Sequence, residues 1–205
     1  MKSPVDLWTR EDFFRTADKN PLCGVDEAGR GPLAGPVCAA AVVLPRDFDI
    51  SGLNDSKKMS AKRRDELFER ICAGAVSYGI AFSSVEEIES MNILNAALLA
   101  MNRAIALLQP APAFALIDGN ITRGIAVPAA ALVGGDGSCA SIAAASVLAK
   151  VTRDRYMLRL AEQYPQYGFD KHKGYGTKQH YDALREFGPS PVHRMSFLKK
   201  FYGEC

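Results

Sequence analysis

Gly24-Val25-Asp26-Glu27-Ala28-Gly29-Arg30-Gly31, residues 24–31, places two acids between an apolar segment and a glycine-rich turn. Residues 22–26 are predicted to form a short strand, and the apolar, β-branched residues 37–44 a second one, with a Gly/Pro-rich turn between them. Neighbouring side chains of a regular strand point to opposite faces. Asp26 and Glu27 can therefore serve one site only if the strand twists or ends there, which the following glycines allow.

The rest of the chain alternates predicted helices and strands. Ser84 and Glu87 have the spacing of a capping box, and an apolar helical repeat continues from there to Pro110. Pro128 places the last predicted strand at an edge or a bulge. Further helices are predicted at residues 5–17, 60–73, 141–163 and from Thr177 to Gly188, and further strands at 76–82, 114–118 and 125–133.

This pattern predicts an α/β fold with a small C-terminal helical region. We expect one domain, with a catalytic core at about residues 20–165 and a basic helical region at about 166–205. The 205 residues, 48% of them hydrophobic, suffice for a sizeable core. No signal peptide or membrane span is predicted, so we expect a cytoplasmic protein.

Charge is distributed unevenly although the net charge is only +2. Residues 150–205 contain 11 basic and 6 acidic residues, a net of +5, which leaves −3 on the remainder. Such a distribution suits a polyanion held beside an acidic site, but it equally fits an uneven surface without function. The five scattered cysteines and three histidines form no zinc-binding or disulfide pattern.

Acidic residues recur beside glycines at the ends of apolar strands. Asp26 and Glu27 precede Gly29, Asp118 ends a predicted strand, and Asp136 lies among glycines. Any one of them could simply be a turn or cap residue. Clustered carboxylates repel one another, however, and a native site that holds them usually needs cations, for which oxygen ligands suggest Mg²⁺ or Mn²⁺. The residues alone thus indicate metal-dependent phosphoryl transfer.

Five blocks of the chain, in order, resemble the motifs of the type 2 ribonucleases H, the ribonuclease HII family. The first is DEAGRGPLAGPV at residues 26–37. The others are LNDSKKM at 53–59, IDGN at 117–120, GD at 135–136 with SIAAASVLAKVTRD at 141–154, and KGYGT at 173–177. The blocks extend over nearly the whole predicted domain, which makes the resemblance specific.

The resemblance implies a ribonuclease H-like mixed β-sheet flanked by helices. It implies that Asp26, Glu27, Asp118 and Asp136 bind two divalent ions, Mn²⁺ or Mg²⁺, and carry catalysis. It also implies cleavage of the RNA strand of RNA–DNA hybrids and cutting 5′ to ribonucleotides embedded in duplex DNA. The products would be 3′-hydroxyl and 5′-phosphate ends, the role would be ribonucleotide removal from DNA, and we expect a monomer.

The same resemblance assigns substrate contacts. Gly29-Arg30-Gly31 would sense the ribose 2′-hydroxyl through its backbone, and Tyr175 would pack on a sugar that lacks this hydroxyl. Arg153, Asp154 and Arg155 are interpreted as a charge network on a helix surface. The candidate phosphate contacts are Asn54, Ser56, Lys57, Lys58, Ser146, Lys150, Lys171, His172 and Lys173.

Two other functions remain to be weighed. A non-catalytic protein that binds RNA–DNA hybrids would require a broken set of acids, and all four are present. A nucleotide-binding enzyme would need a longer glycine motif, because Gly29-Arg30-Gly31 lacks the third glycine of G-x-G-x-x-G.

Overall fold

One mixed sheet forms the centre of the protein. The computed structural model describes residues 6–54 and 56–203, and the side chain of Lys58 lies outside this description. Within it the strands are β1 Leu22–Ala28, β2 Val37–Val43, β3 Ser77–Ser83, β4 Phe114–Asp118 and β5 Ala129–Leu132. The order across the sheet is β3-β2-β1-β4-β5. β2 is antiparallel to β1 and β3, whereas β4 is parallel to β1 and β5.

Helices flank both faces of this sheet. The α-helices are α1 Leu7–Asp12, α2 Ala61–Gly74, α3 Val85–Ala106, α4 Ala140–Gln163, α5 Phe169–His172, α6 Lys178–Phe187 and α7 Met195–Tyr202. Short 3₁₀ helices lie at Ala17–Lys19, Ser56–Lys58, Gly135–Gly137 and Pro165–Tyr167. The architecture confirms the predicted α/β class, and no described helix is long and apolar enough to cross a membrane.

Small residues bring α4 unusually close to β1. A Cβ placed on Gly24 would lie 2.2 Å from the backbone nitrogen of Ile142, so no other residue fits there without movement. Ala144 and Leu148 of α4 belong to one buried cluster together with Ala40 of β2. On the opposite face α3 packs over Val25 and Ile117. The alanine-rich sequence of α4 thus holds the centre of the sheet and the helix in direct backbone contact.

The C-terminal helices fold back onto the loop between β1 and β2. Leu33 and Ala34 of that loop share a buried cluster with Met157, Phe169 and Leu198. The backbone N–H of Leu33 donates to Gly174 at 2.8 Å, and its carbonyl accepts from Arg194 at 2.8 Å. Residues of the predicted core and of the predicted C-terminal region therefore meet around this loop; the proposed division of the chain at about residue 165 stays a prediction.

The observed elements differ from the predicted ones at several points, and β1 continues to Ala28 instead of ending at residue 26. The first helix ends at Asp12 instead of residue 17, and the last strand begins only at Ala129, at the edge of the sheet. The long third helix is interrupted at Asn92, whose φ of 69° is not helical. Asn92 Oδ1 accepts hydrogen bonds from the N–H groups of Leu94 and Asn95, so it caps the second part of the helix. Apolar periodicity does not detect this break, because the repeat continues across it. The predicted capping box at Ser84 and Glu87 is present.

Candidate active site

Three carboxylates from separate segments meet at one end of the sheet. Asp26 and Asp118 follow Val25 and Ile117, which are paired in the parallel β1–β4 ladder. Asp136 lies in the 3₁₀ helix after β5. A carboxylate oxygen from each of the three lies within 4.8 Å of the others. Parallel strands end at the same edge of a sheet, and the fold thereby brings together acids that are up to 110 residues apart in the sequence.

Backbone hydrogen bonds hold this arrangement in place. The Oδ1 atom of Asp118 accepts from the N–H of Gly135 at 2.8 Å and from that of Asp136 at 3.4 Å. Asp26 Oδ1 accepts from the N–H of Glu27 at 2.7 Å. The turn that carries Asp136 is thus anchored directly on Asp118, which fixes the distance between these two acids.

Burial and mutual repulsion make the cluster electrostatically costly. Burial is the main cause that raises the pKa of Asp26 well above its usual value, and the charges of Glu27 and Asp118 raise it further. Burial also raises the pKa of Glu27, although the neighbouring Arg30 guanidinium opposes this. A divalent cation would relieve the repulsion, and three oxygen donors at this separation fit Mg²⁺ or Mn²⁺.

Glu27 faces the same cleft as Asp26, although it lies outside the three-carboxylate group. Both acids line a cleft of about 540 Å³ together with Gly29-Arg30-Gly31 and Tyr175. Glu27 Oε1 forms an ion pair with Arg30 Nη1 at 3.3 Å. β1 continues through both acids to Ala28, with Asp26 paired to Ala40 and Glu27 to Ala39 of β2. The two side chains therefore leave opposite faces of the strand, and both nevertheless border the cleft.

Tyr175 lies directly beside the glycine loop, and both line this cleft. Gly29 has a φ of +99° and Gly174 a φ of +85°, values that strongly favour glycine. A Cβ on Gly31 would lie 3.6 Å from the Tyr175 ring, whose residue is 44% exposed. Two segments that are separated by about 145 residues thus meet at this cleft.

The hydroxyl groups of Ser56 and Ser146 lie next to Asp26. Their Oγ atoms are 2.7 Å apart and both residues are buried. A hydrogen bond from Ser146 to Asp26 lowers the pKa of that carboxyl and partly offsets the effect of burial. Ser146 therefore holds Asp26 directly and Ser56 contacts Ser146, whereas the phosphate contacts of both serines stay a prediction.

The predicted cationic contacts divide into two groups. Lys57 Nζ lies 3.6 Å from Asp136 Oδ2, and Lys150, which also lines the cleft, pairs with Asp154 at 2.7 Å. Lys171 and Lys173 line a second groove that adjoins Lys150. Asn54 is exposed, near the acidic turn. The side chain of Lys58 lies outside the described residues.

His172 is engaged within its own loop. Its Nε2 atom bonds to the carbonyl of Tyr167 at 2.8 Å, and its Nδ1 atom accepts from the N–H of Gly174 at 3.2 Å. Both ring nitrogens are thereby used inside the protein, which argues against the predicted phosphate contact. His172 instead braces the turn that presents Tyr175.

The position of Arg153 differs from the one that the sequence predicts. The sequence indicates a charge network on a helix surface, but Arg153 is only 1% exposed and lies behind the loop that carries Gly29. Its spacing from Ser146, Ala149 and Met157 on the buried face of α4 was the available signal. A second buried arginine, Arg194, lies behind the same loop and was not recognised, because no periodic pattern surrounds it.

The sheet topology and the carboxylates gathered at its edge define a nuclease of the ribonuclease H-like fold class. The profile of a family described as "Ribonuclease HII" matches residues 23–200 of this chain. A Ribonuclease HII from Burkholderia mallei (strain SAVP1) is 58% identical over 176 residues, covering 86% of this chain and 82% of the relative. The chain belongs to the ribonuclease HII family, and it is a ribonuclease H enzyme, an endonuclease acting on RNA–DNA hybrids.

Solved structures agree with this assignment. The ribonuclease H2 from Pyrococcus horikoshii OT3 matches with a TM-score of 0.72 at 25% identity, covering 89% of this chain and 97% of that one. The RNase HII in a PCNA:RNase HII complex from Archaeoglobus fulgidus matches with a TM-score of 0.72 at 27% identity, covering 85% and 93%. The predicted ribonuclease H-like fold is confirmed.

Proposed function

We propose that this enzyme cuts the RNA strand of hybrids and also cuts 5′ to ribonucleotides embedded in duplex DNA, leaving 3′-hydroxyl and 5′-phosphate ends. The observation that carries the proposal is the approach of Asp26, Asp118 and Asp136 to within 4.8 Å, beside a cleft that Asp26 lines together with a backbone loop and an exposed tyrosine. Its role would be the removal of ribonucleotides from DNA in the cytoplasm.

The four acids would hold two divalent ions, Mg²⁺ or Mn²⁺. The chemistry supplied by the bound ions is activation of water and stabilisation of the leaving 3′-oxygen. Asp26, Asp118 and Asp136 offer oxygens that point to one centre, and Glu27 extends the acidic surface towards Arg30. The ion pair with Arg30 restrains Glu27, so that this carboxylate is held at the cleft before a substrate arrives.

Recognition of the ribose would take place next to the acids. Only Ala28 separates Glu27 from the Gly29-Arg30-Gly31 backbone, so a hydroxyl bound there lies close to the scissile phosphate. Tyr175 would pack on the deoxyribose on the 3′ side, since its ring is exposed opposite Gly31. Ribose sensing and cleavage are thereby coupled through a single short segment.

The remaining contacts would position the duplex without reading its sequence. Lys57, Lys150 and Lys173 carry their charges around the cleft and the adjoining groove, and Lys58 lies on the same 3₁₀ helix as Lys57. Asn54, Ser56 and Ser146 would add hydrogen bonds to phosphates. Binding of this kind weakens with salt, because each neutralised phosphate releases counterions.

The test compares an all-DNA duplex, a DNA duplex with one ribonucleotide and an RNA–DNA hybrid, each with Mg²⁺, Mn²⁺ or a chelator. We expect cleavage 5′ to the ribonucleotide and within the hybrid, none of the all-DNA duplex, and none with the chelator. Cleavage that persists in the chelator, or an uncut single-ribonucleotide duplex, would refute the proposal. Asp182→Asn, an exposed carboxylate on α6, is a matched control for any acid-to-amide variant of the site.

A further inference from the structure

Arg194 forms hydrogen bonds with the backbone of the loop that carries Gly29 and Arg30. This residue is fully buried, at 0% exposure. Its Nη2 atom donates to the carbonyl of Gly29 at 2.7 Å and its Nη1 atom to that of Arg30 at 3.0 Å. The guanidinium also donates to the carbonyl of Gly35, at 2.9 Å from Nε and 2.7 Å from Nη2. One planar group thus spans both ends of the turn.

These bonds determine where the opposite sides of the peptide groups point. The carbonyl of Gly29 belongs to the same peptide unit as the N–H of Arg30, and the carbonyl of Arg30 to that of Gly31. In a trans peptide the two groups point in opposite directions. Fixing both carbonyls on a buried guanidinium therefore turns both N–H groups away from it. Within residues 6–54 and 56–203 neither N–H donates to a protein acceptor.

Arg153 connects this loop to the segment that presents Tyr175. Its guanidinium donates to the carbonyls of Pro36 at 3.0 Å and Ala34 at 3.2 Å, and to that of Lys173 at 3.1 Å. Lys173 lies two residues before Tyr175, so one side chain holds backbone from both sides of the cleft. The direct hydrogen bond from Leu33 to Gly174 reinforces this junction.

Burying two guanidinium groups costs desolvation free energy. In the described part of the chain neither Arg153 nor Arg194 forms an ion pair with a carboxylate, and both donate to backbone carbonyls. Burial lowers the pKa of Arg194 to about 9, and the nearby charge of Arg153 adds to the effect. Apolar side chains would fill such a space with less desolvation. The arrangement is therefore better explained by the backbone geometry that it imposes than by stability.

We propose that Arg194 and Arg153 are positioning residues for ribose discrimination, with Arg194 aiming the Arg30 and Gly31 N–H groups into the cleft and Arg153 fixing the distance from that loop to Tyr175. The inference rests on the proposed recognition of an embedded ribonucleotide. It adds that the accuracy of recognition depends on two buried side chains that act through the backbone they hold.

The test uses the full-length protein and the variants Arg194→Lys and Arg153→Lys. Lysine keeps the positive charge, but its single ammonium cannot span three carbonyls in one plane. Affinity is measured for an all-DNA duplex and for the same duplex with one ribonucleotide, with Ca²⁺ in place of the catalytic ion. The ratio of the two dissociation constants reports ribose discrimination. Cleavage with Mn²⁺ then provides kcat and KM separately.

For Arg194→Lys we expect the ratio to fall by about tenfold, the factor that corresponds to one net hydrogen bond, while affinity for the all-DNA duplex is unchanged. The loss in cleavage should be in kcat rather than KM, since the lysine contacts to phosphate remain. For Arg153→Lys we expect, in addition, a weaker preference for a single ribonucleotide over a continuous hybrid, because the Tyr175 segment is released as well. A folded variant that keeps the wild-type ratio would overturn the proposal.

Leu184→Ala is the matched control, because Leu184 is buried on α6 in the cluster that includes Leu33 and Ala34 but, among the described residues, forms no hydrogen bond with residues 29–31. This variant should lower the unfolding midpoint yet retain the wild-type ratio of dissociation constants. If its ratio fell as far as that of the arginine variants, general destabilisation would explain their effect and the proposal would be overturned. Should Arg194→Lys not fold, Arg153→Lys tests the same claim. In the wild-type protein, NMR should show slowly rotating guanidinium groups at both arginines, and free rotation would contradict the proposal. Failure of the wild type itself to prefer the ribonucleotide would instead refute the proposed function.

Discussion

Replacing Asp118 by asparagine should stabilise the metal-free protein while it abolishes catalysis. Asparagine has the same shape, and its Oδ1 can still accept from the N–H groups of Gly135 and Asp136. Only the negative charge is removed from a cluster in which Asp26 and Asp136 lie within 4.8 Å. The substitution therefore isolates the electrostatic strain of the site from its geometry.

The magnitude follows from Coulomb's law. Two unit charges 4.8 Å apart repel by about 3.5 kcal/mol at an effective dielectric constant of about 20. Solvent at the cleft, partial protonation of Asp26 and the nearby Lys57 all reduce this value. We expect Asp118→Asn to raise the free energy of unfolding by about 1–3 kcal/mol in the presence of a chelator.

The pH dependence provides an internal check. The raised pKa of Asp26 means that the cluster is least destabilising when Asp26 is protonated, and that stability is lost as the pH rises through the folded-state pKa. Neutralising Asp118 removes one of the causes that raise this pKa. The gain of Asp118→Asn should therefore be largest at neutral and alkaline pH and should shrink as the solution becomes acidic.

Urea unfolding with a chelator and with saturating Mn²⁺ is the assay, combined with cleavage of an RNA–DNA hybrid. Wild type should gain about 2.7 kcal/mol at an ion concentration 100 times the dissociation constant, and Asp118→Asn much less, so the order of stability reverses. Asp182→Asn should leave the free energy of unfolding close to the wild-type value with and without Mn²⁺, as expected of an exposed carboxylate. The reasoning is refuted if Asp118→Asn is less stable than wild type without metal, or if it cleaves the hybrid at the wild-type rate.

Three further predictions concern other parts of the molecule. Tyr175→Ala should lower the preference for a single ribonucleotide over a continuous hybrid, measured by competition cleavage, whereas Tyr175→Phe should retain it. If Tyr175→Ala kept the wild-type preference, the proposed role of the ring would be wrong. Glu11→Ala should destabilise the protein by about 2–4 kcal/mol, because the buried carboxylate accepts hydrogen bonds from the N–H and Oγ of Ser141 at the start of α4. An unchanged midpoint of urea unfolding would contradict this. Burial lowers the pKa values of His180 and His193 to about 4. The free energy of unfolding should therefore be independent of these groups above the unfolded-state pKa of about 6.5 and should decrease from there towards pH 4. Thermal unfolding at stepwise pH would measure this.

The catalytic acids illustrate how far local sequence leads. Asp118 and Asp136 lie at or after the end of a strand and adjoin a glycine, and Asp26 lies near the end of β1, three residues before Gly29. From this pattern their place at a sheet edge could be predicted. The five motif blocks predicted the family, which the comparisons confirmed. Local pattern suffices here because strand ends and glycine turns are properties of short segments.

Long-range contacts were beyond the reach of such patterns. Glu11 caps α4 at Ser141, 130 residues away, and nothing in the N-terminal segment indicates this. Arg153 was assigned to the surface, since charged residues are almost always exposed unless they are paired. His172 was assigned to phosphate for its charge, whereas the fold uses both of its ring nitrogens within one loop.

The sequence by itself determined the order of strands and helices, the acids at the strand ends and the glycine turn after Glu27, because these depend on periodicity and on local backbone freedom. Only the tertiary structure decided that Tyr175 faces Gly31, that consecutive acids share one cleft, and that two arginines lie buried behind the ribose-sensing loop. The physical reason is that a guanidinium is buried only where several carbonyls converge, and that convergence exists only once β1, α4 and α7 are packed together.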